Sequence, residues 1–541
     1  MDPTPTSPQK LYCEYDGEST LGNRSGNNFV HDLQAILSSN VPPSCDEARS
    51  LRQLLQQEES TFSALFENIT RLQVHLSTLV EQHRDSQIKV QQYRAALSSA
   101  RILPPELVRK IFIYCAEEPP ITWPPSPSRL PLSLAQICSG WREVALSTPE
   151  LWSNINFRAS SFMGVEKFKE LAELWLSRCG VKPASLAFTT SCHPERFSNP
   201  LGDVIVQNTS RIGSLELHLP TTLFNAFSDY PPEAFPQLRA LRLHGTPVDF
   251  REEGGYRLWN LEFSPFQFSP HLTDVVISIP RTHINLEGLN LPWPQLSSLH
   301  LAESIVSHDA MLRILDRCRN LTSCSARLVA NNEITAPSDV EVTVPLLKSL
   351  SLQSEAGELN GFLRYITLPV LQTLALHVHP NNTWDSEDLI RLVSRSQCRL
   401  AGLAISGRTL QPDGFIDLLH AIPTVQELDM MFVSFVTDDI LKWMSPMTVY
   451  EDPIVPCLRV LKLREMTLKC SPDSVRRFVA TRGWPVAEWQ SLVEGRGHQR
   501  QEVQRLEKLV IRSKMGRFGS EWTERLLEFQ DRGLDLSYGF H

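Results

Sequence analysis

One pattern governs what this chain can fold into: a loose LxxLxL recurrence that returns along most of its length. It appears in RIGSLELHL (Ile212, Leu215, Leu217), QLRALRLHG (Leu238, Leu241, Leu243), HLTDVVIS (Leu272, Val275, Ile277) and QLSSLHLAE (Leu296, Leu299, Leu301). It continues from Leu321, Leu347, Leu371, Leu400, Val425, Leu458 and Leu506. Most first positions lie 24 to 34 residues apart, Leu272 to Leu296 at the short end and Leu238 to Leu272 at the long end, and the gap reaches 48 only between Leu458 and Leu506. Helix-like stretches such as HDAMLRILDRC, SEDLIRLVSRS, DGFIDLLHAI and PDSVRRFVATRG fall between them, so each unit reads as strand plus helix. A unit this short cannot bury its apolar face alone, and stacking on its neighbour does so. The expectation is an α/β chain whose residues 160–520 form a solenoid, with the tail 521–541 (EWTERLLEFQDRGL) as an amphipathic capping helix.

Alternate side chains of a strand face opposite sides, so the residues between the buried leucines line one surface. That surface comprises Glu216 and His218, Arg242 and His244, Ser298 and His300, Ser351 and Gln353, Ala375 and His377, Glu427 and Asp429, Lys462 and Arg464, and Lys508 and Arg512. An acidic pair followed by basic units suggests a face that reads a charged ligand. His218, Arg242, His244, His300, Glu427, Asp429, Lys462 and Arg464 are the substrate-face candidates, against the plainer reading of solvated strand. The four histidines raise a metal hypothesis, but they stand on separate strands, so no metal is expected.

At 541 residues the chain exceeds one ordinary hydrophobic core, and the part before the recurrence is organised differently. Residues 1–46 are rich in Pro, Ser, Asn and Gly and are expected to be disordered. Residues 47–100 carry heptads: steps of four and three from Leu51 meet Leu55, Phe62, Leu65, Ile69, Leu72, Leu76, Leu79, Val90, Tyr93 and Leu97, with breaks at Glu58, His83 and Ser86. This predicts a coiled coil that pairs two copies through residues 51–97 or docks a partner helix. The alternative is a helix that folds back on its own chain, with a hairpin near His83 and Ser86.

Next stands RILPPELVRKIFIYC. Pro104 and Pro105 suit the first positions of a helix, and Glu106 sits at the positive end of its dipole. Leu107, Val108, Ile111, Phe112 and Cys115 recur at helical spacing, leaving Arg109 and Lys110 outside. The segment EEPPITWPPSPSRLP then forbids helix continuation, and LSLAQICSGWREVALS restores the stripe before TPELW. A unit of this size with two apolar stripes has surface left to bury, against a partner or against the rest of the chain.

ILPPELVRKIF followed by LAQICSGWREVALSTPELW resembles the F-box motif over residues 101–157, and the proline-rich insertion and upstream heptads resemble fungal, basidiomycete-like F-box proteins. The recurrence after residue 160 resembles the irregular leucine-rich repeats that often follow an F-box, with Thr246 and Ser304 where the regular form carries Asn. The resemblance implies a small all-α module, followed by the solenoid, that docks on a Skp-type adaptor and so on a cullin-RING ubiquitin ligase. Leu103, Pro104, Glu106, Leu107, Ile111 and Phe112 would form the adaptor-facing helix, and Trp141, Leu151 and Trp152 match the later part of the motif. The implied role is that of a non-catalytic substrate receptor for an unidentified protein. The alternative is a repeat scaffold without a ubiquitin role.

Composition narrows the remaining classes. A formal charge of -9 and a pI near 6.0 argue against nucleic-acid and anionic-membrane partners. The 11 cysteines form no CxxC pair, so reduced thiols are expected. No apolar run approaches a membrane span, which suggests a cytoplasmic or nuclear location. Phosphate-loop, nucleophile-elbow, HExxH and dinucleotide motifs do not occur, so neither an enzyme nor a cofactor is expected, although a Cys–His pair is not detectable from spacing alone.

Overall fold

The heptad segment forms one uninterrupted helix, α1 (Cys45–Ala96), whose 52 residues span about 78 Å at 1.5 Å per residue. Ser44 opens it with a capping box: its hydroxyl accepts from the Glu47 N–H at 3.4 Å, and the Glu47 carboxylate accepts from the Ser44 N–H at 2.8 Å. The hairpin that the fold-back alternative would place near His83 and Ser86 does not form, because the segment has no Pro or Gly to interrupt the backbone ladder. None of the α1 residues is buried, and Phe62, Leu65, Ile69, Leu72 and Leu76 are exposed.

This computed structural model describes residues 34, 36–39, 41–116, 121–123, 130–159, 165–190, 204–205, 207–227, 230–246, 257–259, 264–329, 341–354, 359–378, 386–407, 412–431, 436–445, 454–466, 470–484, 503–513 and 520–540. Most of the segment expected to be disordered lies outside them. The chain divides into two units, Met1–Leu103 and Pro104–His541.

The second unit begins with α2 (Pro105–Cys115), which Pro104 precedes as cap residue and Pro105 opens, with Glu106 in the first turn. Strand β1 (Ile121–Trp123) follows within the proline-rich segment, then α3 (Leu132–Ile137) and α4 (Ser139–Leu146). Strands succeed one another as β2 (Asn154–Ala159), β3 (Ala184–Thr190), β4 (Ile212–Pro220), β5 (Ala240–Thr246), β6 (Arg257–Trp259), β7 (Asp274–Ser278), β8 (Thr282–Ile284), β9 (Ser298–Ser307) and β10 (Ser323–Val329). They continue as β11 (Val342–Thr343), β12 (Ser349–Ser354), β13 (Ile366–Thr367), β14 (Thr373–Val378), β15 (Gly402–Ser406), β16 (Glu427–Met431), β17 (Val460–Met466), β18 (Lys508–Ser513) and β19 (Asp535–Phe540). Among the intervening helices are α5 (Val165–Arg178), α6 (His308–Arg317), α7 (Glu387–Ser396), α8 (Pro412–Ala421), α9 (Asp438–Met444), α10 (Pro472–Thr481) and α11 (Ser520–Asp531).

Among the described residues seventeen strands form one sheet, and β11 pairs with β13 in a separate two-stranded one. Every pairing is parallel, the order demanded when each strand returns through a crossover segment. The recurrent leucines stand in register, from Leu186 to Leu215, Leu241, Val275 and Leu299 and on through Leu350, Leu374, Leu403, Leu428, Leu461 and Leu509 to Leu536. All the first positions of the recurrence, from Ile212 to Leu506, are buried.

Backbone bonds fix the same register just ahead of the strands. The carbonyl of Thr322 accepts from Lys348 and Ser349, that of Lys348 from Gln372 and Thr373, that of Gln372 from Ala401 and Gly402, and that of Ala401 from Gln426 and Glu427. Buried polar side chains close loops in the same way. Ser304 accepts from the Ile279 N–H at 2.8 Å, and the wholly buried Arg482 donates to the carbonyls of Met444, Ile454 and Val455 at 2.8 Å each.

The expected architecture, a small all-α module followed by a leucine-rich-repeat solenoid, is not what forms. The described residues show a long helix and then a mixed α/β unit built on one parallel sheet. Two findings remove the separate helical module. Residues 121–123, assigned to a spacer, form β1 and pair parallel with β2, Ile121 opposite Ile155 and Trp123 opposite Phe157. Val108, Phe112, Leu134, Ala145, Leu151 and Trp152 belong to the same continuous core as the strands. Nor does the chain end on a capping helix, because α11 leads into β19, which extends the sheet from β18.

Candidate functional site

Helix α2 has two apolar faces. Val108 and Phe112, four residues apart, point into the core, and the Phe112 ring meets Trp141 edge to face with centroids 5.1 Å apart at 70°. Leu107 and Ile111, also four apart, face outward at 47% and 42% exposure, and Tyr114 extends their stripe. Pro104 and Glu106 are exposed, as is Leu103, which closes the first unit. Arg109, assigned to the wet side, reaches Glu150 at 3.2 Å, and Lys182 holds the other oxygen at 2.7 Å. Although burial pushes the Glu150 carboxyl up, these two cations and a backbone bond hold it down to about 2.

Three residues assigned to a partner do not face one. Phe112, Leu151 and Trp152 are sealed in the core, where the Trp152 indole N–H donates to the Ala145 carbonyl at 2.8 Å and its ring packs edge to face on Trp175 at 4.7 Å. Trp141 is partly buried against the same core. A helical apolar count does not separate core from interface, because both use the same residue types at the same spacing.

The polar face of the sheet is half-exposed on strands such as β4 and β5, whereas Asp429 on β16, assigned to the substrate face, is buried. In β4 the leucines are buried while Ser214, Glu216 and His218 are intermediate, and β5, β7, β10 and β12 alternate in the same way. Charges toward the C-terminal end of the face, however, pair with one another. Arg464 grips Asp429 with two nitrogens, at 2.8 and 2.5 Å, and Lys462 bonds Glu427. Lys508 meets Asp535 at 2.7 Å. The change of sign along β16 and β17 is therefore matched by cross-strand ion pairs that run diagonally to the register.

The histidines of this face differ from one another. His300 contacts the Ser325 hydroxyl at 2.8 Å and His377 that of Ser406 at 3.2 Å, and burial lowers the basicity of both rings. His218 and His244 are register partners on β4 and β5, and their rings stack with centroids 4.2 Å apart and planes 5° apart. Glu216 bonds His218 Nε2 at 2.7 Å. Burial, with His218 alongside, holds His244 below the usual imidazole range. Separate strands do not keep these histidines apart: Glu216 stands two residues before His218 on the same face, and the register sets His244 beside His218, as the aligned strings LELHL and LRLHG signal.

Other chemistry is weakly supported. Burial pushes the thiols of Cys318 and Cys470 up to about 12 and that of Cys179 up to about 11, opposite to what a nucleophilic thiolate needs. A pocket of about 230 Å³ at the starts of β15–β17 is lined by Gly402, Glu427, Val460 and the Arg459–Glu507 ion pair. It falls below the usual range of small-molecule sites, about 300–1,000 Å³. No helix among the described residues is long and apolar enough to cross a membrane. No family model matches this chain, and no curated protein is significantly similar to it.

Proposed function

We propose that this chain is a non-catalytic substrate receptor, which binds a Skp-type adaptor of a cullin-RING ubiquitin ligase through α2 and presents a protein target on the polar face of its sheet. The observation that carries the reading is the outward stripe of Leu107 and Ile111, apolar and open to solvent within the stretch that resembles an F-box. The adaptor surface comprises Pro104, Glu106, Leu107 and Ile111 of the second unit, which Leu103 immediately precedes in sequence. The receptor acts by proximity, holding a target at high effective concentration near partner subunits that perform the transfer. The reading implies a cytoplasmic or nuclear location.

The test is co-purification of the full chain with a Skp-type adaptor. Leu107→Asp with Ile111→Asp is expected to abolish capture while the far-ultraviolet circular dichroism of the chain stays unchanged. Undiminished capture by that variant would remove the interface. A second reading is favoured by the burial of Phe112, Leu151 and Trp152: helices α2 to α4 serve only to close the core of an interaction scaffold with no ubiquitin role. On that reading the native chain ignores the adaptor.

A further inference from the structure

We infer that Glu216, His218 and His244 form a binding site for one divalent transition cation of the zinc class. Their three ligand atoms, one carboxylate oxygen and two imidazole nitrogens, already lie within 4.8 Å of one another. Parallel pairing produces the cluster. Glu216 and His218 are two residues apart on β4 and so share a face, and His244 is the register partner of His218 on β5.

Two imidazoles and a carboxylate are the donor set of a zinc site that keeps a fourth position open. Zinc–ligand bonds of about 2.0–2.1 Å in a tetrahedron bring ligand atoms to roughly 3.3 Å of one another. The cluster therefore has to contract by a rotation of the stacked rings toward a common centre. All three side chains are partly exposed, which leaves their torsions free to make that movement.

The surrounding charge favours a cation. Glu303 acts on His244 from β9 and adds a second carboxylate, while Arg242, beside Glu216 in register, opposes it. The carboxylates acting on the His244 ring are thus two, Glu216 and Glu303, against the Arg242 guanidinium. Imidazole nitrogen selects zinc, copper, nickel or cobalt over magnesium and calcium, which prefer all-oxygen shells. The fourth position faces the half-exposed surface of the sheet, where water or a donor from a bound molecule completes the shell.

The experiment titrates the metal-free full chain with zinc chloride by calorimetry, and with cobalt chloride while the visible ligand-field bands are recorded. Because other histidines and cysteines also take up metal, the readout is the difference between the native chain and His218→Gln with His244→Gln. The native chain is expected to bind one more equivalent than the variant and to show a cobalt spectrum that the variant lacks. Loss of even an outer-shell partner typically costs metal sites 10- to 100-fold in affinity, so Glu216→Gln is expected to weaken zinc by at least about tenfold. Arg242→Gln is expected to tighten it. Magnesium is expected to leave the site unfilled. Equal stoichiometry in the native chain and the double variant overturns the assignment. Should the double variant lose its fold, zinc affinity unchanged by Glu216→Gln, whose side chain is partly exposed, overturns it equally.

Discussion

Replacing Phe112 with alanine separates the two faces of α2 in a single measurement. The ring is fully buried and loses both its packing and its edge-to-face contact with Trp141. A buried Phe→Ala change costs about 3–5 kcal/mol in transfer and cavity terms, of which the aromatic pair supplies about 0.5–1.5 kcal/mol. Ile111, one residue earlier, is already 42% exposed. Burying a whole aliphatic side chain is worth about 1.5–3 kcal/mol, so Ile111→Ala costs about 1 kcal/mol. Native-state hydrogen exchange of the α2 and α4 amides reads both, because local opening free energy sets protection. At about 1.4 kcal/mol per tenfold, Phe112→Ala is expected to reduce protection by roughly two to three and a half orders of magnitude and Ile111→Ala by only about fivefold. Equal losses in the two variants would falsify the assignment of one face to the core and the other to a partner.

Other expectations follow from single contacts. Arg482→Ala leaves three buried carbonyls without their donor, and a cost of about 3–5 kcal/mol is expected, seen as a lower urea midpoint for the α9–α10 region by hydrogen exchange. The Glu150 carboxyl is depressed to about 2 in the folded chain, so the stability it contributes is complete above its ordinary value of 4.5 and is lost as pH falls toward 2. Glu150→Gln should therefore flatten thermal stability between those pH values, and an unchanged acid slope would count against the Arg109 and Lys182 contacts. A double-mutant cycle on Asp429 and Arg464 should show a coupling of at least about 1 kcal/mol, because a two-pronged pair with one nearly buried partner is stronger than an open surface pair. In sedimentation, the full chain is expected to run as a dimer through α1, and Leu65→Glu with Leu72→Glu as a monomer; identical behaviour of the two would exclude pairing through that stripe.

Local pattern alone was enough to find the strands of the recurrence and the start of α2 at Pro105, but not β1, β19 or whether α1 runs unbroken past His83 and Ser86. Those it found depend on near neighbours: apolar alternation and proline at a helix start. The leucines of the recurrence do become a registered ladder, and the residues between them do form a half-exposed face, because a strand's two faces follow from its period of two. What the face does was decided by pairing between strands far apart in sequence. Parallel pairing of β16 with β17 lets Arg464 and Lys462 reach diagonally to Asp429 and Glu427, two residues off the register, and sets His244 opposite His218 with Glu216 nearby, which creates a cluster that spacing within one strand does not show. The same holds for Phe112, Leu151 and Trp152, whose apolar character says that something covers them but not what. Only the packing of β1 and the helices into the sheet's own core made these residues interior and left Leu107 and Ile111 outside, since burial is a property of the whole assembly of elements and not of any one of them.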